Sequence, residues 1–173
     1  TLLMGGNAMA QKPLPTLHDL TPGGATYRFA ENIYGVQWWG ESCIKPGIDS
    51  LFIVNARTGK ETLLLTREKI NATLETGKLP KLSHFYSVKF PWAGADEMLL
   101  VLGGKHITYN FKEDKATLLH TLPSKAANVD FCNENRQIAY TSGNNLYVND
   151  LQITNEPEGI VCGQSVHRNE FGI

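Results

Sequence analysis

The chain is poor in the residues that make chemistry easy to see. It has three cysteines in 173 residues, Cys43, Cys132 and Cys162, widely spaced and odd in number. That count gives no disulfide framework, and the three are read as buried free thiols acting as small hydrophobes. Charge of one sign is also missing. Sixteen basic and 17 acidic residues leave a formal net charge of −1, with no basic run, so a nucleic acid is not expected as partner. No apolar run reaches the roughly 18–20 residues needed to span a bilayer.

Familiar active-site signatures are absent too. The nearest approach to a Gly-x-Ser-x-Gly nucleophile elbow is Gly40-Glu41-Ser42-Cys43-Ile44, whose fifth residue is wrong and which no helix signal follows. No phosphate-cradling loop occurs, and Gly23-Gly24 and Gly103-Gly104 read as turns. Histidines 18, 84, 106, 120 and 167 show neither an i,i+4 pair nor a Cys-x-x-Cys partner, so neither a metal nor any other cofactor is expected. Cys162 and His167 lack a third group to orient them as a thiol–imidazole pair. Asn71-Ala72-Thr73 fits a glycosylation acceptor, a pattern short enough to be common by chance.

What the chain does have is an ordinary globular composition, 42% apolar and 19% charged, and a recurrent strand pattern. Residues 1–10 form a separate piece. Thr1-Leu2-Leu3-Met4 is apolar, and Ala8-x-Ala10 precedes Gln11-Lys12-Pro13, as at the end of a secretory signal. This remnant implies export to the periplasm or cell surface. Residues 11–25, with three prolines and Gly23-Gly24, read as an extended lead-in. From Thr26 onward, Tyr27, Phe29, Ile33, Tyr34, Val36 and Trp38 suit short strands.

The pattern then repeats. Asp49–Asn55 runs into the turn Ala56–Lys60 and returns through Glu61–Leu65. Lys105–Phe111, Lys112–Lys115 and Ala116–His120 follow the same plan, and Asn145–Asp150 with Leu151–Ile153 does so more loosely. The strands ahead of these hairpins match as well: Ser87–Phe90 then Met98–Leu102, and Asn128–Phe131 then Gln137–Tyr140. Phe90 and Phe131 are 41 positions apart, and Ile107 and Leu146 are 39. A period of about 40–50 residues with four short strands is the signature of β-propeller blades.

The expected fold is therefore all-β, a partial propeller of roughly three to four blades occupying residues 26–173. Lys69–Ser83 reads as an inter-blade loop. An unrepeated β-sandwich is the competing architecture. A propeller needs about four to eight blades, which, with the abrupt end after Ile173, suggests a piece of a larger protein. Open blade edges would invite pairing with a second copy.

Aromatic residues are read mainly as core. Trp38, Trp39, Trp92, Tyr27, Tyr86 and Tyr147 could instead form a sugar-stacking platform, but strand-borne aromatics usually pack inside. Trp38 and Trp39 are neighbours on a strand and must face opposite sides. One polar cluster stands out, His167-Arg168-Asn169-Glu170 between Val166 and Phe171; on composition alone it is a solvated connection.

That cluster, with Asn145–Asn149, Ile153-Thr154 and Gly159-Ile160-Val161, resembles the propeller domain of the dipeptidyl peptidase IV family of serine exopeptidases. Bacterial prolyl tripeptidyl peptidases are among its members. In that family a short segment at this point projects two consecutive glutamates that bind the free α-amine of the substrate peptide. The resemblance sets Glu170 on the second glutamate and Asn169 on the first, so one carboxylate stands where the family has two. It implies a substrate with a free N-terminus, an α/β-hydrolase domain elsewhere that carries the Ser, Asp and His, and no catalytic residue here. Release of dipeptides and of tripeptides after proline both stay open. The reading from a different class is a non-catalytic periplasmic propeller that binds a protein or glycan.

Overall fold

The structure is a computed structural model, and it describes residues 16–18 and 35–163. The signal-like remnant, most of the lead-in, the strand signals from Tyr27 to Tyr34 and the tail with Asn169 and Glu170 lie outside the described residues. The chain divides into two compact units, residues 1–32 and 33–173. The second holds the architecture described below.

Its described residues form three antiparallel sheets, each a meander in chain order, as blades of a propeller are. The first contains β1 (Gln37–Trp39), β2 (Ser42–Pro46), β3 (Ser50–Val54) and β4 (Glu61–Thr66). The second contains β5 (Glu97–Leu102), β6 (Lys105–Asn110) and β7 (Lys115–Thr121). Its fourth strand is reduced to a single bridge, Lys89 with Leu99, just after a short 3-10 turn at Phe85–Ser87. The third contains β8 (Ala127–Phe131), β9 (Ile138–Ser142), β10 (Asn145–Val148) and β11 (Leu151–Gln152). Among the described residues three blades are present, where three to four are expected over residues 26–173. Gly40-Glu41 and Gly103-Gly104 are hairpin turns, which accounts for the serine and glycine patterns set aside above.

The outer hairpin repeats in detail. In blade one, Asn55 Oδ1 accepts hydrogen bonds from the N–H groups of Arg57 and Thr58, each at 3.0 Å. In blade two, Asn110 Oδ1 accepts from Lys112 and Glu113 at 3.0 and 2.9 Å. Four residues later the chain needs a left-handed residue, φ 69° at Gly59 and φ 54° at Asp114. Glycine takes that conformation freely and aspartate tolerates it. An Asn-led turn thus recurs with a carboxylate in the glycine position.

That carboxylate ties the turn to the one element expectation missed. Lys69–Ser83 is not a loop throughout: α1 (Arg67–Thr76) occupies most of it. Thr66 caps the helix, its hydroxyl accepting from Lys69 N–H at 3.3 Å, and Gly77 ends it. Ile70 and Leu74, one turn apart, are fully buried, while the other face is polar. Asn71 holds the following segment, donating to Leu82 O at 3.0 Å and accepting from Leu82 N–H at 2.7 Å. The glycosylation-like asparagine is thus a structural bracket. Thr73 donates to Asp114 Oδ1 at 2.9 Å, and the buried Tyr109 hydroxyl donates to the same oxygen.

The core lies between blades one and two under α1. Ile44, Leu51 and Leu65 of the first blade meet Met98, Leu100, Ile107 and Tyr109 of the second, with Phe85, Val88 and Phe90 between. Blade two is covered on both faces. Met98, Leu100, Ile107 and Tyr109 point to blade one, and the alternate residues Leu99, Thr108 and His106, all at most 4% exposed, point the other way. This explains an unbroken apolar run where a one-sided strand would alternate. Blade three contributes fewer buried groups, Ile138, Tyr140 and Thr141.

Trp38 and Trp39 divide as expected. Trp38 is 65% exposed, whereas Trp39 packs on Phe90 and Phe111 and donates its indole N–H to Trp92 O and Ala95 O, each at 3.0 Å. Gln37 acts as a surrogate strand partner. It donates to Val88 O at 2.7 Å and accepts from Phe90 N–H at 3.0 Å, joining blade one to the inner segment of blade two. The cysteines are free thiols, but none is buried: Cys132 is exposed, Cys43 and Cys162 half-buried. Cys132 and Cys162 lie on stretches outside the strands, whereas Cys43 is on β2, an inner strand of blade one, near the β1–β2 turn. Among the described residues no helix is long and apolar enough to cross a membrane.

Two consequences are measurable. Leu74→Ala in the full-length protein should cost about 2–5 kcal/mol in denaturant unfolding, the range for a cavity in a packed core. Glu75→Ala, which removes only an exposed ion pair with Lys81, should cost less than about 1 kcal/mol. The Asp114 carboxyl is held below its ordinary value of 3.8, first by the Tyr109 hydroxyl, then by Thr73 and Lys69, with burial acting in the opposite sense. An acid depressed in the folded state stabilises above its unfolded pKa, and that contribution fades as pH falls through 3.8 towards the lowered folded value. Asp114→Ala should therefore cost about 1–3 kcal/mol near neutrality, since it orphans a buried hydroxyl. It should also flatten the acid limb of a Tm–pH curve below about pH 4.

Candidate functional site

Two places gather functional-looking groups: the stretch leading to the predicted amine anchor, and the joint between blades two and three. Asn169 and Glu170 themselves, with His167 and Arg168, lie outside the described residues. What the structure does place is the root of their segment. After β11 the chain is drawn back along blade three. Ile153 N–H donates to Leu146 O at 2.8 Å, and Leu146 N–H donates to Thr154 Oγ1 at 2.9 Å. Asn145 Oδ1 accepts from the Thr154 hydroxyl and from Glu156 N–H at 3.0 and 3.1 Å. Cys162 N–H reaches Asn144 O at 2.8 Å, at the tip of the β9–β10 hairpin.

Gly163 follows at φ 72°. A methyl group there would sit 3.0 Å from both Leu146 Cδ1 and Thr141 Cγ2. Glycine is thus required twice, for the left-handed backbone and for the close approach. The segment bearing Asn169 and Glu170 leaves from a point sewn to the hairpin tip of blade three.

The second place is the inter-blade joint. Trp92, ahead of β5, donates its indole N–H to Asn133 O at 2.7 Å. The Arg136 guanidinium lies over the Trp92 ring at 4.4 Å and pairs with Glu97 at 2.6 Å. Phe131 of β8 packs on two histidines of blade two, stacked on His106 (5.4 Å between centroids, 18° between planes) and edge-on to His120 (6.3 Å). His120 Nε2 donates to Arg136 O at 2.6 Å. Beside this contact runs a groove of about 540 Å3 with Lys89 and Asp130 among its lining residues. Burial first, then the positive charges of His120 and Lys89, push the His106 pKa below its ordinary 6.5.

A larger concavity, about 690 Å3, lies beside the β3–β4 hairpin and is lined by Glu41, Asn55, Arg57 and Lys60 with their neighbours. Its lining contains no histidine. Among the described residues no three His, Cys, Asp or Glu side chains converge as metal ligands. Of the residues considered for sugar stacking, Trp39 and Trp92 are structural, and Tyr147 stacks on Tyr140 at 5.3 Å and 5°. Trp38 and Tyr86 are exposed, and Tyr27 lies outside the described residues. The histidine–aromatic joint escaped sequence reasoning. His106 and His120 stand directly opposite on neighbouring strands, but only the hairpin register, which a bulge shifts beside His106, reveals the pairing.

Comparison with known proteins bears on the whole unit. Residues 101–173 match the model of the dipeptidyl peptidase IV (DPP IV) N-terminal region. The chain is similar to a crystal structure of a candidate dipeptidyl aminopeptidase IV from Bacteroides ovatus ATCC 8483, at 55% identity and a TM-score of 0.77. That likeness covers 91% of this chain and 22% of the other. Porphyromonas gingivalis dipeptidyl peptidase 4 matches at 15% identity and a TM-score of 0.46, over 81% of this chain and 22% of the other. The chain thus spans about a fifth of the length of the solved structures it matches. On the blade meanders, the family match through blade three to Ile173 and the identity over nearly all its length, the chain belongs to the dipeptidyl peptidase IV family, as part of its N-terminal propeller region.

Proposed function

We propose that this chain is the N-terminal propeller portion of an exported, proline-specific serine exopeptidase, and that its task is to hold the free amino terminus of the substrate peptide. The observation that carries this reading is the 55% identity to the candidate dipeptidyl aminopeptidase IV over 91% of the chain, together with a family match that runs through Glu170. The portion is non-catalytic: the nucleophile, base and oxyanion hole belong to an α/β-hydrolase domain elsewhere in the protein. The partners of the chain are that domain and the peptide. Export follows from the Ala8-x-Ala10 pattern.

In this mechanism Glu170 supplies one carboxylate to the substrate ammonium, a charge-assisted contact. Fixing the amine sets how many residues separate it from the serine, so the anchor measures the length of the released peptide. Orientation of this kind can contribute several kcal/mol to the chemical step. Asn169 offers an amide in place of a second carboxylate. It can accept a hydrogen bond but adds no charge, which leaves tripeptide release after proline as well supported as dipeptide release.

Glu170→Ala in the full-length protein should lower kcat/KM on free-amine prolyl peptides by about 10- to 100-fold, the scale of one charge-assisted hydrogen bond. Esterolysis of a small activated ester should be unaffected. Retention of wild-type kcat/KM on those peptides would remove the anchor assignment. Gly163→Ala, which strains the root of the tail and crowds Leu146 and Thr141, should also depress kcat/KM on free-amine peptides. It should leave small-ester turnover near wild type, whereas equal loss on both substrates would point to misfolding and not to the anchor.

A further inference from the structure

The joint between blades two and three contains a group with no role in the peptidase reading. His106 is only 4% exposed, and its Nδ1 is buried without a hydrogen-bond partner. One ring face lies flat on Phe131 of the neighbouring blade. A neutral imidazole tolerates such a place as a flat aromatic with an idle lone pair. An imidazolium does not, because its second N–H would be buried with nothing to accept it and its charge would lose water.

The surroundings reinforce that preference. Lys89, on the inner segment of blade two, and His120, directly opposite on β7, both carry or acquire positive charge. Asp130 on β8 and Lys89 both line the adjoining groove, and Asp130 makes no ion pair with Lys89 and no hydrogen bond to the ring. Arg136 already pairs with Glu97, which leaves neither free to serve the imidazole. No element packed against His106 gives its Nδ1 an acceptor.

His120 behaves in the opposite way. Its Nε2–H donates to Arg136 O, and the bond persists and strengthens when the ring is protonated. The two histidines therefore divide the work: His120 tethers the blades through Arg136 O, while His106 fits only when neutral.

We propose that the seam between blades two and three is an acid-sensitive joint, in which a proton on His106 breaks its stack on Phe131 and opens the adjoining groove while the His120–Arg136 and Trp92–Asn133 hydrogen bonds keep the blades tethered. The sign follows from linkage. The open state protonates near the ordinary histidine value of 6.5 and the closed state resists, so acid drives opening as pH falls below 6.5.

The test is hydrogen–deuterium exchange on the full-length protein, reading segments 127–136 and 85–92 after correction for the intrinsic rate. Lowering the pH from about 7.5 to about 5.5 should raise the opening of these segments about tenfold in the wild type, one pH unit below the free histidine value. His106→Phe keeps the stack and cannot titrate, so its opening should be flat; His106→Leu provides the same arm if the phenylalanine variant does not fold. His120→Gln keeps a donor to Arg136 O and should retain the acid response. A wild type with no acid-driven opening overturns the proposal. So does an undiminished response in the His106 variants, or its loss in His120→Gln alone.

Discussion

A four-stranded meander has two faces and cannot bury both by itself, and the rest of the structure follows from that constraint. Blade two is the only described sheet flanked on both sides, and its sequence shows the cost. Met98, Leu99 and Leu100 are all buried in succession, and even the polar Thr108 and His106 are enclosed. Each seam then needs its own polar solution, because stacked sheets bring backbone and side-chain donors out of water. Between blades one and two Gln37 and Trp39 supply it, pairing with the inner segment of blade two. Between blades two and three the work falls to Trp92, His120 and Arg136.

One outer turn illustrates how a local rule acquires a tertiary use. Both Asn55 and Asn110 fold the backbone over their own carboxamide, and both hairpins require a left-handed residue four places on. In blade one glycine meets the need and does nothing else. In blade two the aspartate accepts a small conformational penalty and gains two hydrogen bonds that fasten α1 to the sheet. The position facing the helix is thus the one that forgoes the easier residue.

The strands and their period are legible in the sequence because alternation and Asn- or Gly-led turns are local properties. Phe90 and Phe131 mark equivalent places in successive blades, as the 41-residue spacing implies. The opposite facing of Trp38 and Trp39 follows from strand geometry alone. The helix is less legible. Thr66, Ile70, Leu74 and Gly77 carry its cap, stripe and stop, but Asn71, Thr73 and Thr76 are weak helix formers, so its stability comes from packing that a linear reading does not weigh. The cysteines show the same limit. Cys132 has an apolar reputation but sits on an exposed turn, which only the arrangement of blades reveals. Nor does composition point to Glu170. Its proposed role rests on family resemblance, since a single carboxylate in a polar run is chemically unremarkable.

Anchoring a peptide amine demands more of the scaffold than of the anchor. A carboxylate can meet an ammonium from many directions, so selectivity for the position of the scissile bond must come from where the anchor is rooted. Here the root at Gly163 is held to the β9–β10 tip by Cys162 and crowded by Leu146 and Thr141. Blade three is held in turn through Phe131 and Arg136 to blade two, the best-buried sheet. A chain of contacts thus leads from the core to Gly163, and it passes through the seam where His106 Nδ1 lacks a partner. If Glu170 measures distance to the nucleophile, a change at that seam alters the measurement without touching either end. On the proposed role of Glu170, the reach of the anchor depends on blade packing and not on the tail alone.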